Sequence, residues 1–193
     1  MMRLHVISFL IFSATVSCMC TGCAENNAIP RPEAYHRITP YDTVYRQADN
    51  LPVKLMLNAQ ADITTKYSGG NTWIDVAYRR YSAVLRYTLV QGTKQSAEKA
   101  LANRIERASI NTGGRPSEIT ELTSPGGFSS TVIVTPDATV TPLQHIASDG
   151  KGTLVYGSLE ILHEVTDPEE TRPIIEAVTL DVLEAAKNLS TKQ

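Results

Sequence analysis

The alternation of apolar and polar side chains predicts strands along most of the chain and helices in two places. Val53, Leu55 and Leu57 fall on one side of an extended chain, Lys54, Met56 and Asn58 fall on the other, and Ala61 and Ile63 carry the run toward Tyr67. A period of two marks a half-buried strand. Ser68-Gly69-Gly70-Asn71 then predicts a hairpin turn, because glycines supply the positive φ angles that tight hairpins need. Strands are expected over Trp73–Tyr81 and Ser82–Val90; in the second, Leu85, Tyr87 and Leu89 oppose Val84, Arg86, Thr88 and Val90. A short first strand is expected at Tyr35–Thr39, ended by Pro40.

The period changes after Val90. Ala97, Leu101, Ile105 and Ala108 form an i, i+4 stripe, Thr93 or Ser96 can cap the helix, and Asn111-Thr112-Gly113-Gly114 stops it. Short strands rich in Thr, Val and Ile follow at Glu118–Thr123, Ser130–Thr135 and Thr141–Ala147. A turn at Ser148-Asp149-Gly150-Lys151-Gly152 leads to a strand over Thr153–Val165. The last helix is expected to have its main body from Pro173, since proline inside a helix costs about 3 kcal/mol. Ile175, Val178, Val182, Ala185 and Leu189 lie on its apolar face. About seven strands with hairpin-length links and two helices give an α+β fold: a mainly antiparallel sheet packed with two helices, resembling the Mog1/PsbP-like sandwiches.

The N-terminus follows a different pattern. Met1-Met2-Arg3 precedes a largely apolar run from Leu4 to Val16, shorter than the roughly 20 residues that span a bilayer, and the chain turns polar after Cys23. Thr21-Gly22 ahead of Cys23 matches the small-residue site of a bacterial lipoprotein signal. The expectation is a signal peptide over residues 1–22, a lipid-anchored tether over 23–34 and a single domain over 35–193. Cys23 is the expected acylation (palmitate-type) site. Thr15-Val16-Ser17 ahead of Cys18 forms a second possible box, so Cys18 is the alternative. Ala24 is not the aspartate that holds many lipoproteins at the inner membrane, and the expected address is the outer membrane, on the periplasmic side.

Composition narrows the classes of function. Lys and Arg number 18 against 20 Asp and Glu, so no broad basic surface exists for nucleic acid. All three cysteines lie at or before position 23, which removes disulfides and thiolate metal sites from the mature domain. No zinc-protease His pair, Gly-x-Ser-x-Gly elbow or phosphate-cradling glycine loop occurs. His36, His145 and His163 stand singly in expected strands, where structural roles are commoner than ligation. The expectation is no cofactor, no metal and no enzyme activity. Arg79-Arg80 between Tyr78 and Tyr81 reads either as a binding patch or, more simply, as a solvated strand edge.

Pro30-Arg31-Pro32-Glu33-Ala34-Tyr35-His36-Arg37-Ile38, shortly after the anchor cysteine, resembles the gliding-motility lipoprotein family GldD. Thr72-Trp73-Ile74-Asp75, Thr141-Pro142-Leu143-Gln144 and Gly157-Ser158-Leu159-Glu160 resemble further segments of that family, while His36 and His145 stand where it carries an aromatic such as Phe. The resemblance implies a non-enzymatic accessory or assembly factor for gliding motility and the linked type IX secretion machinery. The membrane is an expected partner through the N-terminal lipid, and the resemblance implies envelope proteins of that machinery as further partners. Arg31, Tyr35 and Arg37 are candidate partner-binding residues; the simpler reading makes Tyr35 a core residue of the first strand and Arg37 its solvated neighbour. A small-ligand-binding lipoprotein with a pocket between sheet and helices is the alternative function, and a deep apolar pocket would favour it.

Overall fold

A computed structural model of the chain describes residues 38–192. Three short strands, β1 (Tyr45–Gln47), β2 (Val53–Lys54) and β3 (Met56–Asn58), precede β4 (Asp62–Ser68), β5 (Asn71–Tyr78) and β6 (Ala83–Gln91). Helix α1 (Lys94–Thr112) leads to a meander of β7 (Glu118–Thr123), β8 (Ser129–Val134), β9 (Leu143–Ser148) and β10 (Thr153–Ile161). Helix α2 (Pro168–Asn188) and the short β11 (Ser190–Thr191) complete the described chain. Seven strands form one sheet in the order β4-β5-β6-β10-β9-β8-β7, antiparallel at every junction. Two meanders therefore meet where β10 pairs with β6, and α1 is the connection between them. The architecture is α+β with a mainly antiparallel sheet and two helices.

The strand register assigns each helix to its own face. Leu85, Tyr87 and Leu89 of β6 stand opposite Leu159, Gly157 and Val155 of β10. The apolar members of this set join Ile74, Val76 and Val132 and the α2 residues Ile175, Val178, Val182 and Ala185 in the main core. Each such side chain taken fully out of water contributes about 1.5–3 kcal/mol. The alternate residues point the other way. Leu154 and Ile146 meet Ala108 and the half-buried Leu101 of α1 in a second, smaller cluster. The domain thus has three layers: α1, sheet, α2.

Local chemistry explains the boundaries. Gly69 and Gly70, at φ 58° and 80°, make the β4–β5 turn. The Thr93 hydroxyl caps α1 by accepting the Ser96 N–H at 3.2 Å, and Gly113, at φ 58°, ends it. At the second turn, Asp149 Oδ1 accepts the N–H groups of Lys151, Gly152 and Thr153 at 2.8, 3.0 and 2.9 Å.

Several expectations need correction. The run from Val53 to Tyr67 is three strands rather than one. The chain turns after Asn58, whose side chain accepts the Gln60 N–H at 3.0 Å and donates to the Asp42 carbonyl at 3.0 Å. Asn58 is consequently buried, against its expected place beside Lys54. Ile38 and Thr39 are not in a strand; nearby, the Tyr41 N–H donates to the Tyr81 hydroxyl at 3.0 Å, a side-chain partner instead of a ladder. β5 ends at Tyr78, and Arg79–Tyr81 form a 3-10 turn closed by Ser82 at φ 48°. β10 ends at Ile161 because its partner β6 begins at Ala83. β9 begins only at Leu143, after Thr141 at φ 51°. Helix α2 starts at Pro168, five residues before the expected body. Asp167 caps it by accepting the Glu169 N–H at 3.0 Å, and Pro168 sits in the first turn, where no N–H is needed. Pro173 is then inside the helix, which gives up one backbone bond there.

Candidate functional site

Cys18, Cys23, Arg31, Tyr35, His36 and Arg37 lie outside the described residues. The segment just after them is fastened to the domain. Ile38 and Tyr41 pack against the main core. The Tyr41 ring meets Tyr78 and Tyr81 edge-on, with centroids 5.5 and 4.9 Å apart. Arg80 lies over the Tyr41 ring at 4.7 Å, and its N–H donates to the Tyr41 hydroxyl at 3.1 Å. The Arg79-Arg80 pair is therefore on a turn, not a strand edge. Tyr78 and Tyr81 are buried, Arg79 pairs with Asp62, and Arg80 holds the incoming chain.

The two described histidines differ. His163 is exposed in the loop after β10, outside the strand expected for it. His145 is wholly buried on β9, its Nδ1 3.3 Å from the Tyr87 hydroxyl, its ring edge-on to Tyr87, and its Nε2 without a partner. Burial pushes its pKa down to about 4, so the ring is neutral at pH 7. Among the described residues no group of three or more His, Cys, Asp or Glu is arranged to hold a metal ion.

Asp181, on the buried face of α2, was not singled out in the sequence. Its Oδ1 accepts from the Tyr45 hydroxyl at 2.9 Å and from Asn58 Nδ2 at 3.4 Å, and its Oδ2 accepts from the Tyr78 hydroxyl at 2.9 Å. Burial raises its pKa, against three hydrogen bonds that lower it. Burial and the facing carboxylate also raise the pKa of Tyr45 and Tyr78. Protonated phenols donating to this carboxylate tie α2 to β1 and β5, and the Asn58 amide ties it to β3. The sequence signal was present: Asp181 lies three residues after Val178 and one before Val182, a charge on the apolar stripe.

The opposite face carries a polar cavity. Register lines up Arg86, Ser158 and Gln144 in one row and Thr88, Tyr156 and Ile146 in the next, across β6, β10 and β9. Arg104, Arg107, Ala108 and Asn111, spaced i, i+3, i+4 and i+7 on α1, close over these rows. The space is about 240 Å³. The Arg104 guanidinium lies 3.8 Å over the Tyr156 ring, and its Nη2 donates to the Tyr156 hydroxyl at 2.8 Å. Arg107 Nε donates to Asn103 Oδ1 at 3.1 Å. Asn111 Nδ2 donates to Gln144 Oε1 at 3.1 Å, while Gln144 Nε2 is buried without a partner. Arg86 pairs with Glu160 at 2.7 Å and Asp75 at 3.8 Å. Arg104 and Arg107 pair with no carboxylate among the described residues. Sequence reasoning placed Ile105 on the packed stripe; it is 56% exposed, and Arg104 takes the inward position.

No protein-family model matches the chain, and no curated protein matches it.

Proposed function

We propose that the chain is a non-enzymatic lipoprotein of the bacterial cell envelope, an accessory or assembly factor of gliding-motility and type IX secretion machinery. In this reading it is held at the outer membrane by lipid on Cys23 and faces the periplasm, with envelope proteins as partners. The observation that carries the reading is one short stretch of sequence. Thr21-Gly22-Cys23 offers an acylation site, and Pro30-Arg31-Pro32 with Tyr35, Arg37 and Ile38 follows it at the spacing of the GldD family. The structure adds support of a general kind. Two buried titratable groups, Asp181 and His145, face tyrosines within the core, and Ile38 and Tyr41 pack the end of that stretch against the domain. The three-layer arrangement supports a Mog1/PsbP-like sandwich. The cavity under α1 offers little room to a bulky apolar ligand, because at about 240 Å³ it is smaller than the roughly 300 Å³ lower end of small-molecule sites and is walled by arginines.

Metabolic acyl labelling tests the anchor. Cys23→Ser is expected to abolish labelling and block signal processing. Labelling that survives in Cys23→Ser and disappears in Cys18→Ser moves the site to Cys18, and loss in neither variant removes the lipoprotein reading. Recovery of envelope partners from membranes tests the role. Arg31→Ala with Arg37→Ala is expected to lose those partners while the melting curve shifts by no more than about 0.5 kcal/mol in stability. Unchanged recovery and unchanged secretion would reduce the segment to a tether.

A further inference from the structure

We propose that the cavity between α1 and the sheet is a binding site for a small soluble oxyanion, a phosphate or carboxylate group. This inference goes beyond the envelope role and stands independently of it. Three arginines line the space and no acidic side chain does, in a chain whose formal net charge is -2. Arg86 is partly neutralised from outside by Glu160 and Asp75. Arg104 and Arg107 pair with no carboxylate among the described residues, and two like charges on one helical face are unfavourable until an anion sits between them. Both side chains are already held, Arg104 by the Tyr156 ring and hydroxyl and Arg107 by Asn103, so little freedom is lost when they bind.

Gln144 is the independent sign of a missing partner. It is 6% exposed, Asn111 fixes its amide by donating to the oxygen, and the nitrogen is left as a buried donor with nothing to receive it. A buried donor without an acceptor is costly. One oxygen of a bound anion would satisfy it while the others meet the guanidinium groups, the charge-assisted geometry that favours phosphate and carboxylate. At about 240 Å³ the cavity takes an anionic group with a small body.

The chain has a single tryptophan, Trp73, whose register partner Thr88 lines the cavity, and a change in its fluorescence is the optical signal expected on occupancy. The test is titration of the full-length protein, in detergent at low salt, with inorganic phosphate and separately with citrate, followed by fluorescence and calorimetry. Saturable binding of either anion is expected, weakening as sodium chloride is added. Arg104→Gln with Arg107→Gln is expected to weaken it by about tenfold or more, since two charge-assisted bonds are lost. If the double variant does not fold, Arg107→Gln, exposed on α1, carries the test with a several-fold loss. Gln144→Glu, which replaces the free donor with a carboxylate, is expected to abolish binding. No saturable response to either anion, or an equal response in the arginine variants, would overturn the proposal and leave a cavity that holds only water.

Discussion

The two faces of the central sheet are built to different rules. Under α2 the face is continuous and largely dry: Ile74, Val76, Leu85, Leu89, Val155 and Leu159 are almost entirely buried, and Asp181 and His145, among the few polar groups buried there, contact tyrosines. Under α1 the buried apolar cluster is small, Ala108, Ile146 and Leu154 with a few half-buried neighbours, and much of the surrounding interface is arginine, amide and hydroxyl. The same strands serve both faces, since alternate residues of β6, β9 and β10 supply each. The difference teaches that stability and recognition have been separated by side. The α2 face holds the fold, which leaves the α1 face free to carry charge that a core could not accept.

The largest effects should come from the α2 face. Leu159→Ala removes a fully buried side chain and is expected to cost about 3 kcal/mol in denaturant unfolding. Leu101→Ala, on the half-buried seam of α1, is expected to cost about 1 kcal/mol. Equal losses would mean that α1 contributes as much core as α2, and the contrast would fail.

Acid should also act through the α2 face. His145 titrates at about 4 in the folded chain against 6.5 ordinarily. Between those values the unfolded chain binds a proton that the folded chain refuses. The stability held by neutral His145 is therefore complete above pH 6.5 and is lost as pH falls toward 4, about 3 kcal/mol in all. Asp181, whose pKa is raised by burial, works in the opposite sense: its contribution is complete below the ordinary carboxylate value and is lost as pH rises through the raised one. His145→Phe isolates the histidine. Unfolding measured across pH 4–7 should lose that slope in the variant, and an unchanged slope would assign the acid sensitivity elsewhere.

Gly157 tests how tightly the same face is packed. A Cβ there would sit 2.5 Å from the ring of Tyr87, which is itself fully buried beside His145. Gly157→Ala should cost about 2 kcal/mol by displacing that ring. A neutral result on thermal melting would show slack that the dry face is not expected to have.

Much of the fold was legible because alternation reports directly on burial. The Gly69-Gly70 hairpin, β7, the two inward sets of β6, and the buried face of α2 over Ile175, Val178, Val182 and Ala185 all follow from pattern and turn chemistry. The break at Asn58 was not legible, because it depends on Asp42 and Asp181, partners 16 and 123 residues away. Pro173 misled because proline reads as a helix start, while the cap at Asp167 lay six residues earlier. Of the site, Arg104 and Arg107 gave no motif, and Gln144 stood only in a segment of family resemblance that carried no role for it. They converge only through strand register and the rotation of α1, and neither is written as a local spacing.

That rotation is the subject of the smallest and most selective prediction. The i, i+4 pattern of Ala97, Leu101, Ile105 and Ala108 would turn Ile105 inward; instead Ile105 is 56% exposed and Arg104 stacks on Tyr156. Ile105→Gln removes an apolar side chain from water and substitutes a better helix former, so stability should change by less than about 0.5 kcal/mol. Were the helix rolled to bury Ile105, the same change would place an amide in an apolar seam and cost about 2 kcal/mol. The roll also decides the chemistry opposite the dry face. With Ile105 inward, Arg104 would leave Tyr156, and the paired guanidinium groups would no longer face Gln144. A near-neutral Ile105→Gln on chemical denaturation supports the arginine-lined side of the sheet, and a loss of a few kcal/mol would dissolve both the contrast between the faces and the anion site.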